Sequence, residues 1–211
     1  MRPPDPDVAC VVAPASGEGQ DRVAVVRTSE GAVFAVVDGA GGVSGGAKAA
    51  EHAVRMIADA AGDSVSLSAQ LLVSLIARID IALRGRGECA LVVAAVRGAR
   101  VVGASAGDCG AWIVTERIDD LTERQVRKPL IGTGSAVPVP FEAGLGTGTL
   151  VLASDGLFKY ARRNQIASLA RDADIRRSAE QLARLPRLRS GELQDDVAIV
   201  LCRGEATTEQ R

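Results

Sequence analysis

Four aspartates stand beside apolar runs of strand length. Asp38 directly follows VFAVV, Asp155 directly follows LVLAS, Asp108 follows VVGASAG, and Asp195 stands one residue before VAIVL. Carboxylates at the ends of apolar segments are costly if they are buried without a partner. A hard divalent cation such as Mg2+ or Mn2+, which prefers carboxylate, carbonyl and water oxygens, removes that cost. Two of the four are followed by glycine, as Asp38-Gly39 and Asp155-Gly156, which lets the backbone turn sharply and approach a ligand. Asp-Gly after a strand is also ordinary turn chemistry. Four acids placed on strand boundaries in one chain make the metal site the better reading.

Other chemistries fit less well. His52 is the only histidine, so no His-based triad or zinc dyad can form. Ser44, Ser105 and Ser154 lie near strand ends, yet none sits in a Gly-x-Ser-x-Gly elbow. The glycine-rich stretch GAGGVSGG at 39–46 fails the dinucleotide pattern, because Ser44 falls at the third glycine position. It fails the Walker pattern too, since Lys48 has no glycine before it. Arg162, Arg163, Arg171, Arg176 and Arg177 crowd the later part of the chain and read as solvated helix faces, with Arg162 or Arg163 close enough to the Asp155 segment to meet an anionic partner.

The elements that must hold the acids can be read in order. VACVV at 8–12 opens as a strand, and RVAVVRT at 22–28 with AVFAVV at 32–37 forms a hairpin. Residues 47–61 suit a helix with Ala49, Ala53, Ile57 and Ala60 on one face. Ser66 or Ser68 can cap a second helix running to about Arg84, with Leu71, Leu72, Leu75, Ile79 and Leu83 as its apolar stripe. Strands follow at 89–96, 100–106 and 111–114, with Gly98 at the turn between the first two. Residues 117–148 read as irregular with a short strand near Arg124 to Arg127. A strand at 149–154, helices at 164–171 and 175–185, and a last strand at 197–202 complete the order. Regular βαβ alternation is absent, which disfavours a doubly wound parallel sheet. Two antiparallel sheets packed face to face with helices outside fit better.

Composition sets the outer bounds. At 211 residues the chain suits one domain, with a core expected over about 8–203. Hydrophobic residues make up 47% but aromatics only 2%, so Val, Ala, Leu and Ile must build the core. A net charge of −1 provides no basic field for nucleic acid or anionic lipid. The start MRPPDPD does not read as a signal peptide, and the apolar runs are too short to span a bilayer. Cys10, Cys89, Cys109 and Cys202 are far apart, and three of them sit in apolar runs as small buried filler, so neither a disulfide framework nor a zinc site is expected. The expected compartment is the cytoplasm.

The segments VFAVVDGAGG (33–42), GASAGDCGAW (103–112), LVLASDGLFKY (150–160) and LQDDVAIVL (193–201) resemble, in order and spacing, the motifs of the metal-dependent protein phosphatases, the PPM or type-2C serine/threonine family. The chain is similar to a short bacterial member without inserted flap elements. The resemblance implies an α+β fold, a four-layer αββα sandwich with two central antiparallel sheets flanked by helices. It implies two divalent cations, Mn2+ or Mg2+, and a phosphoserine or phosphothreonine protein as substrate. The reaction it implies is hydrolysis by a water bridging the two cations, without a covalent enzyme intermediate. Asp38 matches the carboxylate that bridges both metals, and the carbonyl of Gly39 a ligand of the second. Asp155 and Asp195 match ligands of the first metal. Asp108 matches a residue that helps hold a weaker third ion, and Asp21 the last acid of the first motif. Gln20 and Asp196 are expected beside the ligands rather than on the metal.

Several positions depart from the family pattern. Gln20 stands where the family has Glu, and Ser16 where it has a phosphate-gripping Arg, so a bidentate contact is lost. Lys159 falls where an Asp often supports the third ion. These departures leave a second reading open, a pseudophosphatase that keeps the fold and acts as a regulatory binding module.

Overall fold

The structure, a computed structural model, describes residues 6–40, 45–63 and 67–204. Ten strands and five helices appear in the order β1 (Asp7–Ala13), β2 (Arg22–Thr28), β3 (Gly31–Ala40), α1 (Gly46–Asp63), α2 (Ala69–Leu83), β4 (Glu88–Arg97), β5 (Arg100–Ala106), β6 (Gly110–Val114), β7 (Ile118–Asp120), β8 (Val139–Gly144), β9 (Thr149–Ala153), α3 (Asp155–Phe158), α4 (Arg163–Ala170), α5 (Ile175–Arg184) and β10 (Val197–Arg203). The strands form two five-stranded sheets ordered β1-β10-β9-β6-β7 and β2-β3-β4-β5-β8. Every pairing in them is antiparallel.

Period-two alternation explains how these sequences build four layers. On β3, Phe34 and Val36 point into the core between the sheets, where they join Val92 and Ala94 of β4 and Leu150, Leu152 and Val200 of the other sheet. The intervening Val33, Ala35 and Val37 face the opposite way and pack with Ile57, Leu72, Ile76 and Ile79 of α1 and α2. On the far side, Val151, Ile199 and Leu201 meet Ile166, Ile175, Ala179 and Leu182 of α4 and α5. Central strands are therefore buried on both faces, which is why they read as unbroken apolar runs although the sheets are antiparallel. The expected sandwich is the fold observed.

The helices start where local chemistry favours it. Ser68 caps α2 by accepting from the amide of Leu71 at 3.3 Å, while Ser66 lies outside the described residues. Asp174 caps α5 by accepting from the amides of Arg176 and Arg177. Arg203 at the end of β10 holds the α4–α5 turn, donating to the carbonyls of Ala170, Asp172 and Ala173. Among the described residues no helix is long and apolar enough to cross a membrane.

Three expectations need correction. No strand forms at Arg124 to Arg127, where the chain turns: the Gln125 amide donates to the Thr122 carbonyl, and the Val126 carbonyl accepts from the amide of Gly107. The nearby strands are β7 and β8 instead, both partly exposed and so lacking an apolar signature. Leu71 is 52% exposed and leaves the α2 stripe to Ile76. Cys10 is exposed rather than buried filler, because β1 is an edge strand on which Ala9 alone is fully buried.

Candidate metal centre

Asp38 lies within β3 rather than beyond its end. It pairs with Ala90 of β4, and the ladder continues through Gly39–Cys89 and Ala40–Glu88. Strand parity puts Asp38 on the same face as Phe34 and Val36, so its carboxyl enters the space between the sheets at one edge of the sandwich. Asp108 follows β5 in the bend to β6, and Asp155 is the first residue of α3, directly after β9. The structure brings these three together, with one carboxylate oxygen from each lying within 4.8 Å of the others.

Asp21 and Asp195 flank this trio. Asp21 precedes β2 and is 1% exposed. Burial and the charges of Asp196, Asp195 and Asp155 push it up to about 7, against a hydrogen bond from Ser154 that favours the ionised form. Burial together with Asp21, Asp155, Asp108 and Asp195 pushes Asp38 up to about 8. Asp155 is raised by burial and by Asp108 and Asp195, and lowered by Lys159 and by a hydrogen bond with Asp38. Five carboxyls of one sign thus converge from both sheets, and a buried oxygen of Asp21 has no hydrogen-bond partner. Such an all-oxygen set, costly when alone, fits a hard divalent cation.

The two Asp-Gly pairs owe their glycines to close packing rather than to a turn. Neither Gly39 nor Gly156 has a positive φ. A Cβ on Gly39 would run into the backbone of Gly46 and lie 3.0 Å from the Gln20 carbonyl oxygen. A Cβ on Gly156 would strike the backbone carbonyl of Asp196. Glycine lets β3, the start of α1 and the β1–β2 loop meet, and lets α3 lie against the segment that carries Asp195. The later glycines of the motif, Gly41 and Gly42, lie outside the described residues.

Asp195 and Asp196 have separate tasks. Asp195 accepts from the amide of Asp196 at 3.0 Å. Asp196 turns to the β1–β2 loop, where it accepts from the amide of Ala15 at 2.7 Å and from that of Gln20. It thereby fixes the loop that ends in Asp21. The side-chain oxygen of Gln20 is buried without a partner. Ser16, Gln20, Ala47 and Asp195 border a cleft of about 380 Å3 beside the carboxylates.

Three supporting residues escaped the sequence reading. Ser154, set aside as a nucleophile, is fully buried; its hydroxyl accepts from the amide of Ala198 at 2.9 Å and bonds Asp21, joining both sheets. Arg22 donates to the carbonyl of Asp21 at 2.8 Å and reaches Glu51. Asp80, 4% exposed on α2, accepts from the amides of Gly132, Gly134 and Ala136 and so pins the segment behind Asp108. Asp80 had a legible signal, a charge on the buried stripe between Ile76 and Leu83. The others had none.

No family model matches the chain, and no curated protein matches it. Solved structures do. The serine/threonine phosphatase Stp1 from Staphylococcus aureus superposes with a TM-score of 0.84 at 19% identity, covering 96% of this chain and 96% of that one. A serine/threonine phosphatase from S. agalactiae gives 0.83 at 18% identity over 95% of this chain and 100% of its own. The catalytic domain of PstP, solved with two manganese ions, gives 0.79 at 19% identity over 94% and 97%. The chain has the fold of these bacterial phosphatases over nearly its whole length.

Proposed function

We propose that this chain is a single-domain, metal-dependent protein phosphatase that hydrolyses phosphoserine or phosphothreonine esters. The observation that carries the proposal is the meeting of Asp38, Asp108 and Asp155, with Asp21 and Asp195 beside them, at one edge of a sandwich shared with bacterial serine/threonine phosphatases. Asp38, Asp155, Asp195 and the Gly39 carbonyl are the proposed ligands of two divalent cations, Mn2+ or Mg2+, with Asp21 and Asp108 as further donors. A PstP structure holding two manganese ions supports that number. When bound, such cations supply Lewis acidity toward the phosphate and lower the pKa of water.

The chain's own residues prepare the site for that chemistry. Burial has stripped water from the Asp38 and Asp155 carboxyls, so the negative charge they develop as a cation displaces their protons attracts it strongly. Asp196 and Arg22 hold the β1–β2 loop, and Ser154 orients Asp21, so the donors are set before any ligand arrives. Gln20 keeps an oxygen donor where a charge is missing and lowers the negative charge of the set by one. All four cysteines are free, which supports a reducing compartment such as the cytoplasm.

The test is turnover of an aryl phosphate and of a phosphothreonine peptide with Mn2+, Mg2+ or chelator, with Asp155→Asn as the control. Metal-dependent hydrolysis that the substitution removes, by at least about 100-fold (about 2.7 kcal/mol), is the expected result. Absence of hydrolysis with any metal, from protein shown to be folded, would leave a regulatory module with this fold.

A further inference from the structure

A phosphate ester brings negative charge to a site already rich in carboxylates, and the residue at position 16 is a serine. Nine residues line the cleft beside the cluster, and none is Lys or Arg, whereas Glu18, Asp195 and Asp196 are acidic. Two nearby arginines are held against the fold. Arg22 is held by the carbonyls of Gly19 and Asp21 and by Glu51. Arg163 lies over Trp112, 4.7 Å from the ring centroid.

Lys159 is placed differently. Its amide donates to the Asp155 carbonyl at 2.8 Å, closing the single turn of α3. Residues four apart on a turn share a face, so Lys159 stands over Asp155. Its side chain is exposed, and its Nζ rests 5.1 Å from the centroid of the Tyr160 ring. Its charge acts on Asp155, and both Asp155 and Asp195 act on it.

Resting on the phosphatase reading, we propose that Lys159 is the phosphate-gripping residue of this site, its ammonium pairing with a phosphoryl oxygen at the mouth of the carboxylate cluster. The long stem gives reach, and the Tyr160 ring limits the directions the head can take. In the free protein Asp155 and Asp195 attract the ammonium. Once their charge is neutralised, an arriving phosphate becomes its strongest partner.

The experiment uses the full chain with Mn2+ and compares wild type with Lys159→Ala and Lys159→Arg. Inorganic phosphate binding is measured by calorimetry, kcat and KM on a phosphothreonine peptide, and bound manganese by elemental analysis. Lys159→Ala is expected to weaken phosphate about tenfold and raise KM by a similar factor. It should leave kcat and manganese content close to wild type, and Lys159→Arg should recover most of the loss. Unchanged phosphate affinity and KM in Lys159→Ala, beside an active wild type, would overturn the inference alone. A loss that follows manganese loss would also overturn it, because Lys159 would then support the metals. A wild type that neither binds phosphate nor turns over substrate would overturn both readings.

Discussion

Replacing Asp38 with asparagine should make the metal-free protein more stable while removing its proposed activity. Burial and four neighbouring carboxyls push Asp38 up to about 8 in the folded chain, against about 3.9 when unfolded. A group raised in this way stabilises the fold fully below its unfolded pKa and loses that contribution as pH rises through the folded value. Between about pH 4 and 8 the unfolded chain has released a proton that the folded chain keeps. Each unit of rising pH then costs the fold about 1.4 kcal/mol through this group, with a ceiling of about 5 kcal/mol over the window. Asparagine has no proton to lose. Since the repulsion is shared among several carboxyls, the expected gain at pH 8 is about 2 kcal/mol. Asp21, pushed up to about 7 by burial, keeps part of the slope in the variant. Urea unfolding with chelator present, at pH 5 and pH 8, measures the effect. Added Mn2+ should stabilise wild type and do little for the variant. A variant no more stable than wild type at pH 8 with chelator would refute the account of a strained carboxylate cluster.

Other outcomes follow from the same geometry. Gly156→Ala drives a Cβ into the Asp196 carbonyl and should cost about 2 kcal/mol in thermal or urea unfolding, with weaker manganese binding. Asp80→Ala leaves the amides of Gly132, Gly134 and Ala136 without their acceptor; a loss of about 3 kcal/mol and faster amide exchange at those three positions are expected. Burial pushes the Cys89 and Cys202 thiols up to about 12 and Cys109 well above its ordinary value. Iodoacetamide at pH 8 should therefore label the exposed Cys10 alone in native protein, as read by peptide mass analysis.

The strands that build the sandwich were legible because apolar runs such as VFAVV and LVLAS are buried on both faces and announce themselves. β7 and β8 were not, because they lie at sheet edges, partly exposed, and β8 includes Pro140. The acids were found by their position beside apolar runs, but the end of a run was mistaken for the end of a strand. β3 continues through Asp38 because Gly39 and Ala40 still pair with β4. The glycines after Asp38 and Asp155 were legible as necessities, yet their reason, backbone against backbone, depends on segments distant in sequence. Asp21 was placed by the resemblance alone, since its polar surroundings carry no periodic signal. Ser154 and Asp80 act through partners that only the fold brings near, as does Arg22 in reaching Glu51.

The place of β10 in its sheet carries a consequence for synthesis. It lies between β1 and β9 and pairs with both, although it follows β1 by more than 180 residues and is the last of the described strands in chain order. Until residues 197–203 emerge, β1 and β9 each present an unpaired edge that invites association with other chains. Asp195, just ahead of β10, arrives at the same moment, so the carboxylate cluster is completed only after the other four acids have been made. A nascent chain halted short of β10 would already carry Asp21, Asp38, Asp108 and Asp155 yet lack the strand that ties β1 to β9.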